Sequence, residues 1–473
     1  MPSTAIVWHR RDLRVHDHPA LTTAAREYER VLPVFVLDDR LLRGRFASAS
    51  RTAFMLGCLR ALDEALRERG GALCVRRGEP ERVLPELAAQ AGAGAVLWTS
   101  DVAPFARARD ARVAEALRAA GVEPRPHPGS YLVDVSQPRT QDGRPFSVFS
   151  PIWRATRQVE RRSVLRAPRA VPLPGGIDPG RVPAAEELRL GETVPDPVRE
   201  PGEAAARRAL WRWVGGDIER YAERHDLTAG GTSVLSPYLR WGCLSPVEVE
   251  SAARRRGGKG VSAFARQLVW RDFYAHVLLL NPANARHEFQ ERFRELDWDD
   301  DEERLAAWRE GRTGYPLVDA GMRQLAATGW MHNRARLVVG SFLTKDLHLD
   351  WREGEAWFER LLLDGEPAQN NGNWQWIAST GVDPAPYFRR LYNPALQQRR
   401  HDPAGDYVRR WVPELEQVPG ARLAEPWRMD AAEQRAAGCG IGRDYPAPIV
   451  DHALERRRAM ERYGRLSGAS PRA

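Results

Sequence analysis

The sequence predicts an N-terminal α/β domain with a doubly wound parallel sheet, followed by an all-α domain. In the first 130 residues, short apolar runs alternate with segments of helical period. A stretch rich in proline and glycine then runs from Arg166 to Gly202, a composition that favours an irregular connector. Beyond it, helical periods replace the strand pattern. We therefore predict an α/β domain over 1–130, a connector over 131–205 and a helical domain over 206–465.

Four strands are predicted in the α/β domain from short runs of β-branched and apolar residues. They are Ala5–Trp8, Val31–Leu37, Leu73–Val75 and Ala95–Trp98. Between the second and third, the apolar residues of Thr52–Arg69 fall on one face at the helical period, which predicts an amphipathic helix. No GxGxxG motif follows the first strand, so the dinucleotide-binding version of this fold is not supported.

Helical periods organise the rest of the chain. One helix is predicted over Val318–Thr328 and ends at Gly329, and a second runs through Arg336–Lys345. The glycine-rich GCGIG at Gly438–Gly442 has no strand before it and is predicted to be a loop. These patterns make the second domain all-α.

Length and composition indicate a globular protein. A chain of 473 residues suggests at least two domains and can bury a large cofactor. Apolar residues make up 43% and charged residues 28%, and no apolar run approaches the roughly 18 residues of a membrane span. The first residues, MPSTAIVWHRRD, lack a secretory signal pattern. We therefore expect a cytoplasmic protein that does not contact membranes. A monomer is expected as well, although the sequence does not establish the oligomeric state.

No metal site is predicted from the cysteines and histidines, and the net charge is compatible with a nucleic-acid partner without establishing one. The scattered cysteines, which form no CxxC pair or metal-ligand spacing, are Cys58, Cys74, Cys243 and Cys439. The HDH at His16–His18 is interpreted as a polar loop after a strand. The net charge of +8 suits a polyanion, because Lys and Arg contacts to phosphate release counterions. Arginine-rich composition also follows from coding-DNA base composition, so charge alone does not establish nucleic-acid binding.

The segment DGEPAQNNGNWQWIASTGVDPAPYFRRLYNP, residues 364–394, combines paired amides with paired indoles. Asn370 and Asn371 can donate and accept hydrogen bonds without titrating. Trp374 and Trp376 offer flat π surfaces that can stack on a cofactor or base and can lose an electron. This favours redox chemistry carried by a cofactor over hydrolysis. The alternative is a Gly/Asn-rich turn followed by an aromatic core helix.

Several collinear segments carry a specific family pattern. They are AIVWHRRDLRVHDHPAL, GGTSVLSPYLRWGCLSP, RQLVWRDFYAHVL, TGYPLVDAGMRQLAATGWMHNRARLVVGSFLTKDL, DWREGEAWF, NNGNWQWIASTGVDPAPYFR and RRWVPEL. Through them, nearly the whole chain resembles the photolyase/cryptochrome flavoprotein family, closest to the bacterial class I cyclobutane pyrimidine dimer photolyases. The resemblance implies an antenna chromophore in the α/β domain, and FAD and damaged DNA in the helical domain.

The resemblance implies FAD in a folded, U-shaped form. The loop GGTSVLSP would offer hydroxyl and N–H groups to its phosphates just before a helix, although TSxLSP alone is also an N-cap signature. The implied flavin-binding residues are Tyr221, Thr232, Ser233, Val234, Leu235, Ser236, Arg271, Arg336, Asp364, Glu366 and Asn370. Arg336 and Asp364 are implied to pair across the isoalloxazine, the alternative being an ordinary buried ion pair.

Four residues are implied to act in the photochemistry. Asn370 matches the residue that faces flavin N5, where an amide is typical of photolyases and plant and animal cryptochromes generally carry other residues. Trp374, Trp351 and Trp298 match a photoreduction chain that passes an electron inward from the surface residue Trp298. The alternative is that these tryptophans only pack in the core or on the surface.

An antenna site is also implied. Phe35, Arg51 and Asp101 match positions of relatives that bind 8-hydroxy-5-deazaflavin, and the pattern of relatives that bind methenyltetrahydrofolate is not apparent. The deazaflavin is therefore favoured. The alternative is an empty site in which Arg51 only caps or solvates a helix start.

The lesion must leave the duplex before it can react, and photolyases are among the enzymes that flip their target. The implied lesion- and DNA-binding residues are His225, Gln267, Trp270, Asn333, Arg334 and Trp376. The two indoles would stack on the pyrimidines, at roughly 1–3 kcal/mol per base. Two positions depart from the family: Gln267 replaces a usual glutamate, and His225 stands at a usual arginine position.

The predicted function is light-driven repair of cyclobutane pyrimidine dimers by electron transfer from reduced FAD. Glutamine at position 267 also occurs in (6-4) photoproduct photolyases, but the segment MHNR lacks their paired histidines. A cryptochrome-like blue-light receptor is the other alternative, and the short tail RLSGASPRA gives it little support. A nucleotide-dependent oxidoreductase is weakened by the missing GxGxxG motif.

Overall fold

The structure is a computed structural model that describes residues 3–45, 47–188, 197–383 and 386–467. The chain forms two compact units. The sheet unit comprises Met1–Ala222, Ser233–Pro282 and Leu363–Gln369, and the helical unit comprises Glu223–Thr232, Ala283–Leu362 and Asn370–Ala473. This partition differs from the bounds 1–130, 131–205 and 206–465, which remain a prediction.

The sheet unit contains five parallel strands. They are β1 (Thr4–His9), β2 (Arg30–Leu37), β3 (Cys74–Arg77), β4 (Ala93–Thr99) and β5 (Glu123–His127). Their order in the sheet is β3-β2-β1-β4-β5, so the order reverses between β1 and β4. The four predicted strands are confirmed, and β5 is an addition. In such sheets, ligands bind outside the carboxyl ends of the strands at the reversal point.

Helices cover the sheet, which explains the almost continuous apolar runs of its central strands. The helices of this unit are α1 (Pro19–Glu27), α2 (Asp39–Leu42), α3 (Ala49–Arg67), α4 (Pro80–Ala91), α5 (Pro104–Ala119), α6 (Phe149–Gln158), α7 (Glu203–Gly215), α9 (Ser236–Trp241), α10 (Pro246–Arg254) and α11 (Lys259–Leu280), and α8 (Tyr221–Arg224) begins in it. The predicted amphipathic helix Thr52–Arg69 is α3. It begins earlier because Ser48 Oγ accepts a hydrogen bond from the backbone N–H of Arg51 at 3.2 Å.

The proline-rich connector packs along the sheet. Within the described residues 159–188 and 197–202, the one regular element is the 3₁₀ turn Glu186–Leu188. Val171 is fully buried, and its N–H donates to the carbonyl of Arg69 at 2.9 Å. Val31 N–H donates to Pro172 O, and Val75 N–H to Pro179 O, both at 2.9 Å. The described part of the proline-rich stretch is irregular, as predicted, yet its backbone satisfies donors of β2 and β3. Helix α6 (Phe149–Gln158), however, lies within the predicted connector range 131–205. The predicted residues 189–196 lie outside the described ranges.

The helical unit contains no named strand among its described residues. Its helices are α12 (Glu302–Arg309), α13 (Pro316–Thr328), α14 (Asn333–Ser341), α15 (Trp351–Leu361), α16 (Pro367–Ala378, which begins in the sheet unit), α17 (Pro394–His401), α18 (Asp406–Trp411), α19 (Ala431–Ala437) and α20 (His452–Ser467). The predicted α13 ends as expected, since Gly329 adopts φ 64°. The predicted helix Arg336–Lys345 is α14 followed by a π-helical turn, Phe342–Asp346. GCGIG is a loop, as predicted.

These elements confirm the predicted fold class. One large cluster of buried apolar side chains holds the helical unit together, and a separate cluster lies between the sheet and its helices. Within the described residues, no helix is both long enough and apolar enough to cross a membrane.

Candidate functional site

A largely buried group of charged side chains lies in the sheet unit around Glu366, which is 3% exposed. Glu366 Oε1 accepts hydrogen bonds from Arg11 Nη2 at 3.1 Å and from the Tyr131 hydroxyl at 3.3 Å. Arg271 Nε lies 3.7 Å from Glu366 Oε2. Asp101 Oδ2 lies 3.3 Å from Arg11 Nε. Because Arg11 follows β1 and Asp101 follows β4, the group begins at the reversal point of the sheet, where a ligand site is expected.

The arginines keep this group charged. Burial alone would raise the pKa of the Glu366 carboxyl, but Arg11 and Arg271 hold that pKa below its usual value. Burial also raises the pKa of the Tyr131 hydroxyl well above its usual value, so the hydroxyl keeps its proton. Glu366 Oε2 is buried and accepts no hydrogen bond. It is therefore an acceptor available to the O–H or N–H group of a ligand.

The predicted phosphate loop leads into the short helix α9. Val234 has φ 50°, a conformation rare for a β-branched residue, and Leu235 occupies the N-cap position. No side chain caps α9, so the interpretation of TSxLSP as an N-cap signature is wrong. Ser236, which opens the helix, is exposed. Backbone N–H groups at a helix start that lacks a side-chain cap are donors that suit a phosphate.

A glycine sets the position of α9. Gly242 ends the helix at φ 65°, and a Cβ there would lie 2.0 Å from the carbonyl oxygen of Arg11. Leu13 N–H donates to the carbonyl of Trp241 at 3.0 Å. The end of α9 therefore packs directly on the segment that carries Arg11.

The other predicted flavin residues are divided between the units. Tyr221 is buried in the sheet unit, edge-on to Trp213 and Phe264 with ring centroids 5.7 and 5.6 Å away. Ser233, Val234, Leu235, Ser236, Arg271, Asp364 and Glu366 also belong to the sheet unit, whereas Thr232, Arg336 and Asn370 belong to the helical unit. The pairing of Arg336 with Asp364 stays a prediction.

Asn370 has a fixed orientation in the helical unit. Its side chain is 7% exposed, and Nδ2 donates to the carbonyl of Glu355 at 2.8 Å and to Glu359 Oε2 at 3.3 Å. The amide nitrogen is thus committed to protein acceptors. The carbonyl oxygen is the group that Asn370 can offer to a ligand.

The three predicted electron-transfer tryptophans share one core. Trp374 and Trp351 are buried within the large apolar cluster, and the half-buried Trp298 packs against it. Trp374 packs edge-on against Phe358 at 5.0 Å between centroids. Gly354 makes room for it, since a Cβ there would lie 2.1 Å from a Trp374 ring carbon. Burial therefore decreases from the first two residues to the third, as an outward route requires.

The two predicted lesion-stacking indoles each have one face covered. In the sheet unit, the half-buried Trp270 stacks on Phe149, with centroids 3.8 Å apart and planes within 2°. The exposed Gln267 lies three residues earlier on the same face of α11. In the helical unit, the guanidinium of Arg390 lies over Trp376, 4.1 Å from the ring centroid.

The remaining predicted DNA residues lie in the helical unit. Arg334 Nη2 bonds Asp226 Oδ2 at 2.7 Å, and His225 Nε2 lies 3.9 Å from Asp226 Oδ1. Burial would raise the pKa of Asp226, but the hydrogen bond from Arg334 lowers it. Asn333 is exposed at the start of α14. A phosphate must therefore compete with Asp226 for Arg334.

The predicted antenna residues all lie in the sheet unit. Phe35 is 6% exposed near the carboxyl end of β2, and Arg51 is 5% exposed in the first turn of α3. Asp101 is engaged by Arg11, and its Oδ1 accepts hydrogen bonds from the N–H groups of Val102 and Ala103. Asp101 is thus part of the Glu366 group, a contact that its motif did not reveal.

One group in the described chain has the residue types of a metal site. Ligand atoms of His9, Asp12 and His18 lie within 4.8 Å of one another, and all three are buried. However, His18 Nδ1 accepts the N–H of Leu21 at 3.1 Å as the N-cap of α1. The hydrogen of His18 therefore lies on Nε2, which faces Asp12 Oδ2 at 3.0 Å and offers no lone pair to a cation. These contacts favour a structural hydrogen-bond network over a metal site for His9, Asp12 and His18.

Comparisons with known proteins agree with this site. The family model described as the FAD binding domain of DNA photolyase matches residues 264–465, and the model described as DNA photolyase matches residues 5–173. The deoxyribodipyrimidine photo-lyase of Streptomyces griseus is 41% identical over 459 residues, which cover 96% of this chain and 98% of that protein. A deoxyribodipyrimidine photo-lyase of Thermus thermophilus is 43% identical over 440 residues, covering 93% and 98%.

Solved structures give the same result. A bacterial class III photolyase from Agrobacterium tumefaciens has a TM-score of 0.92 and 36% identity, and covers 99% of this chain and 98% of its own. A cryptochrome from Synechocystis sp. PCC6803 has a TM-score of 0.88 and 30% identity, with coverage of 97% and 98%.

The fold and the site define a flavin-dependent, light-driven DNA repair lyase. The chain belongs to the DNA photolyase family. The predicted family, fold class, enzyme class and FAD cofactor are confirmed, and DNA is the partner that this family implies. The site residues chosen from the motifs remain predictions. Sequence reasoning missed Arg11, Tyr131, Phe149, Asp383 and Arg390, whose roles depend on contacts between distant parts of the chain.

Proposed function

We propose that this protein repairs cyclobutane pyrimidine dimers in DNA. One observation supports this most strongly: Trp270 and Trp376 are half-buried indoles, and the protein covers one face of each. An indole whose second face is covered can stack on one pyrimidine only. Each of these residues therefore suits one flipped pyrimidine. The deoxyribodipyrimidine photo-lyases of several bacteria, at 35–43% identity, support the same substrate.

The donors and acceptors of the chain fit FAD. In the sheet unit, Glu366 has a buried oxygen that accepts no hydrogen bond, and the start of α9 has no side-chain cap. In the helical unit, Asn370 offers an amide carbonyl. When bound and reduced, FAD supplies the light-driven electron that opens the cyclobutane ring. Glu366 would accept hydrogen bonds from a cofactor hydroxyl or amino group, and Asn370 would orient the reactive ring. Trp374, Trp351 and Trp298 would deliver electrons that restore the reduced cofactor.

The antenna in this proposal is 8-hydroxy-5-deazaflavin rather than methenyltetrahydrofolate. Phe35 and Arg51 are buried near the carboxyl edge of the sheet, where ligands of this fold bind. An archaeal photolyase from Sulfolobus tokodaii, with a TM-score of 0.84 and 30% identity, is described with two FAD molecules. The absorption spectrum of the purified protein, after release of its chromophores, distinguishes deazaflavin, folate and a second flavin.

Gln267 provides the test of the substrate. Light-dependent repair of defined oligonucleotides that contain a cyclobutane dimer or a (6-4) photoproduct should be measured for the parent, Gln267→Glu and Gln267→Ala. We expect the parent to repair the cyclobutane dimer. Gln267→Glu should repair it as well or better. Gln267→Ala should lose about 1–3 kcal/mol of lesion binding, because polar groups of the lesion are left unpaired.

The same assay can overturn the proposal. Efficient (6-4) repair by the parent without cyclobutane dimer repair would refute the substrate. Light-dependent reduction of FAD with no repair of either lesion would favour the cryptochrome-like receptor.

DNA affinity should depend steeply on salt, and the pair between Arg334 and Asp226 should modulate it. We expect Arg334→Ala to weaken binding of intact and damaged strands alike and to reduce the slope of log K against log salt by about 1. Asp226→Asn should strengthen both, because it frees the guanidinium. Arg67→Ala in α3, where the side chain is 57% exposed, is the control for loss of one positive charge. A slope equal to that of the parent in Arg334→Ala would exclude the phosphate contact.

A further inference from the structure

The lesion-stacking candidate Trp376 lies on a buried arginine. The Arg390 side chain is 2% exposed, although Arg389 beside it is exposed. Its guanidinium carbon lies 4.1 Å from the centroid of Trp376, well within the range of a cation–π contact. The guanidinium therefore occupies one face of the indole and prevents a base from stacking there.

Asp383 joins the two side chains. Asp383 Oδ2 accepts one hydrogen bond from Trp376 Nε1 at 3.2 Å and another from Arg390 Nη2 at 2.8 Å. The hydrogen bond from Trp376 Nε1 lies in the plane of the indole, and the hydrogen bond from Arg390 holds the guanidinium above that plane. Together they fix both the tilt and the rotation of the ring. Asp383 has φ 87°, a strained conformation for a residue with a Cβ. Such strain persists where the surrounding structure requires it, and it is often linked to function.

The backbone on both sides of the contact is anchored to one buried lysine. Lys345 Nζ donates to the carbonyl of Ile377, next to Trp376, at 2.8 Å, and to the carbonyl of Arg390 at 3.0 Å. Ser341 Oγ donates to the same Arg390 carbonyl at 3.0 Å. Relative movement of the two backbone segments that carry the indole and the guanidinium would break these buried hydrogen bonds. The arrangement is thus preorganised before DNA arrives.

We propose that Arg390, held by Asp383, is a positioning residue that gives Trp376 a single available face and thereby sets the discrimination between pyrimidine dimers and intact DNA. The inference rests on the proposed function. Asp383 neutralises the arginine, and the guanidinium is buried, so Arg390 contributes to the fixed orientation of the indole and not to attraction of the phosphate backbone. Its removal should weaken dimer binding selectively and leave the salt dependence unchanged.

The experiment measures dissociation constants in the dark for a dimer-containing oligonucleotide and its intact counterpart, at several salt concentrations, with FAD-loaded protein. Arg390→Met keeps a flexible, unbranched apolar side chain but removes the cation. We expect its affinity for the dimer to fall about 5- to 20-fold, equivalent to ~1–2 kcal/mol. Affinity for intact DNA should stay within about twofold. Arg390→Lys, which keeps the charge, should recover part of the discrimination.

Arg389→Met is the matched control, because it removes the same charge from the neighbouring exposed position. Its ratio of dimer to intact affinity should equal that of the parent. Asp383→Asn keeps the shape of the link but weakens it, and should lower dimer affinity about 2- to 5-fold. This second variant decides the question if Arg390→Met does not fold.

Three results would overturn the inference. The first is a ratio of dimer affinity to intact-DNA affinity that is unchanged in Arg390→Met. The second is an equal loss of affinity for both DNAs in that variant, with a smaller dependence of affinity on salt. The third applies if Arg390→Met does not fold, and is an unchanged affinity ratio in Asp383→Asn. If the parent itself shows no preference for the dimer, the proposed function fails and this inference fails with it. If the parent discriminates and the variants still do, only the inference fails.

Discussion

Photoreduction of oxidised FAD should fall by more than about tenfold in Trp374→Phe, while the protein still folds and binds the cofactor. Phenylalanine keeps most of the packing against Phe358 but is much harder to oxidise than an indole. The side chain is 3% exposed and lies in the core, so a moderate loss of stability is also expected. Repair that starts from chemically reduced FAD should largely persist, because in the proposed mechanism the tryptophans serve only to restore the reduced state.

The structure supplies a matched control. Trp308 is fully buried, lies edge-on to Trp374 with centroids 6.2 Å apart, and donates from Nε1 to the carbonyl of Val339 at 3.0 Å. Trp308→Phe should disturb packing about as much yet leave photoreduction intact. Blue-light bleaching of the flavin absorption band, with an external reductant present, measures both variants. Photoreduction at the parental rate in Trp374→Phe, or equal loss in Trp308→Phe, would show that the electron takes another route.

The regular part of the fold could be predicted from the sequence because burial dictated it. The central strands are covered on both sides, so β1, β2 and β4 appear as apolar runs. β5 was missed for the opposite reason. Its sequence EPRPH contains two prolines and charged residues, its side chains are mostly half-exposed, and only pairing with β4 makes it a strand. An edge strand can tolerate proline, and a local pattern does not reveal its partner.

The site shows the same limit. Trp376 and Glu366 were predicted as site residues because each matches a position of a family motif. The motifs did not indicate that Arg390 covers Trp376, because the two residues lie fourteen positions apart and their contact depends on the tertiary structure. Likewise, Arg11 lies at the start of the chain and Glu366 near its end. Local sequence patterns predict helices and strands, whereas these contacts depend on the tertiary structure.

The buried carboxylate of Glu366 is expected to dominate the stability of the sheet unit. It is 3% exposed and faces both Arg11 and Arg271. Glu366→Leu would leave the largely buried guanidinium groups of Arg11 and Arg271 without their shared partner, and removal of one member of a buried ion pair costs up to about 3–5 kcal/mol. Glu366→Gln keeps one acceptor oxygen and should lose less. Glu200→Gln is the control, since that carboxylate is 70% exposed in its pair with Arg208 and should contribute at most about 1 kcal/mol.

The pH dependence separates this role from simple packing. The pKa of Glu366 in the folded protein lies below its usual value, so the unfolded chain binds the proton more readily. The stabilisation is therefore fully present above the unfolded pKa of about 4.3 and is lost as pH falls through the lower folded value. Urea unfolding midpoints of the parent and Glu366→Gln should differ by a constant amount from pH 8 to about 5.5 and converge below about 4.3. If the difference between the two urea midpoints stays the same or grows below about pH 4.3, the negative charge of Glu366 is not the source of the stabilisation.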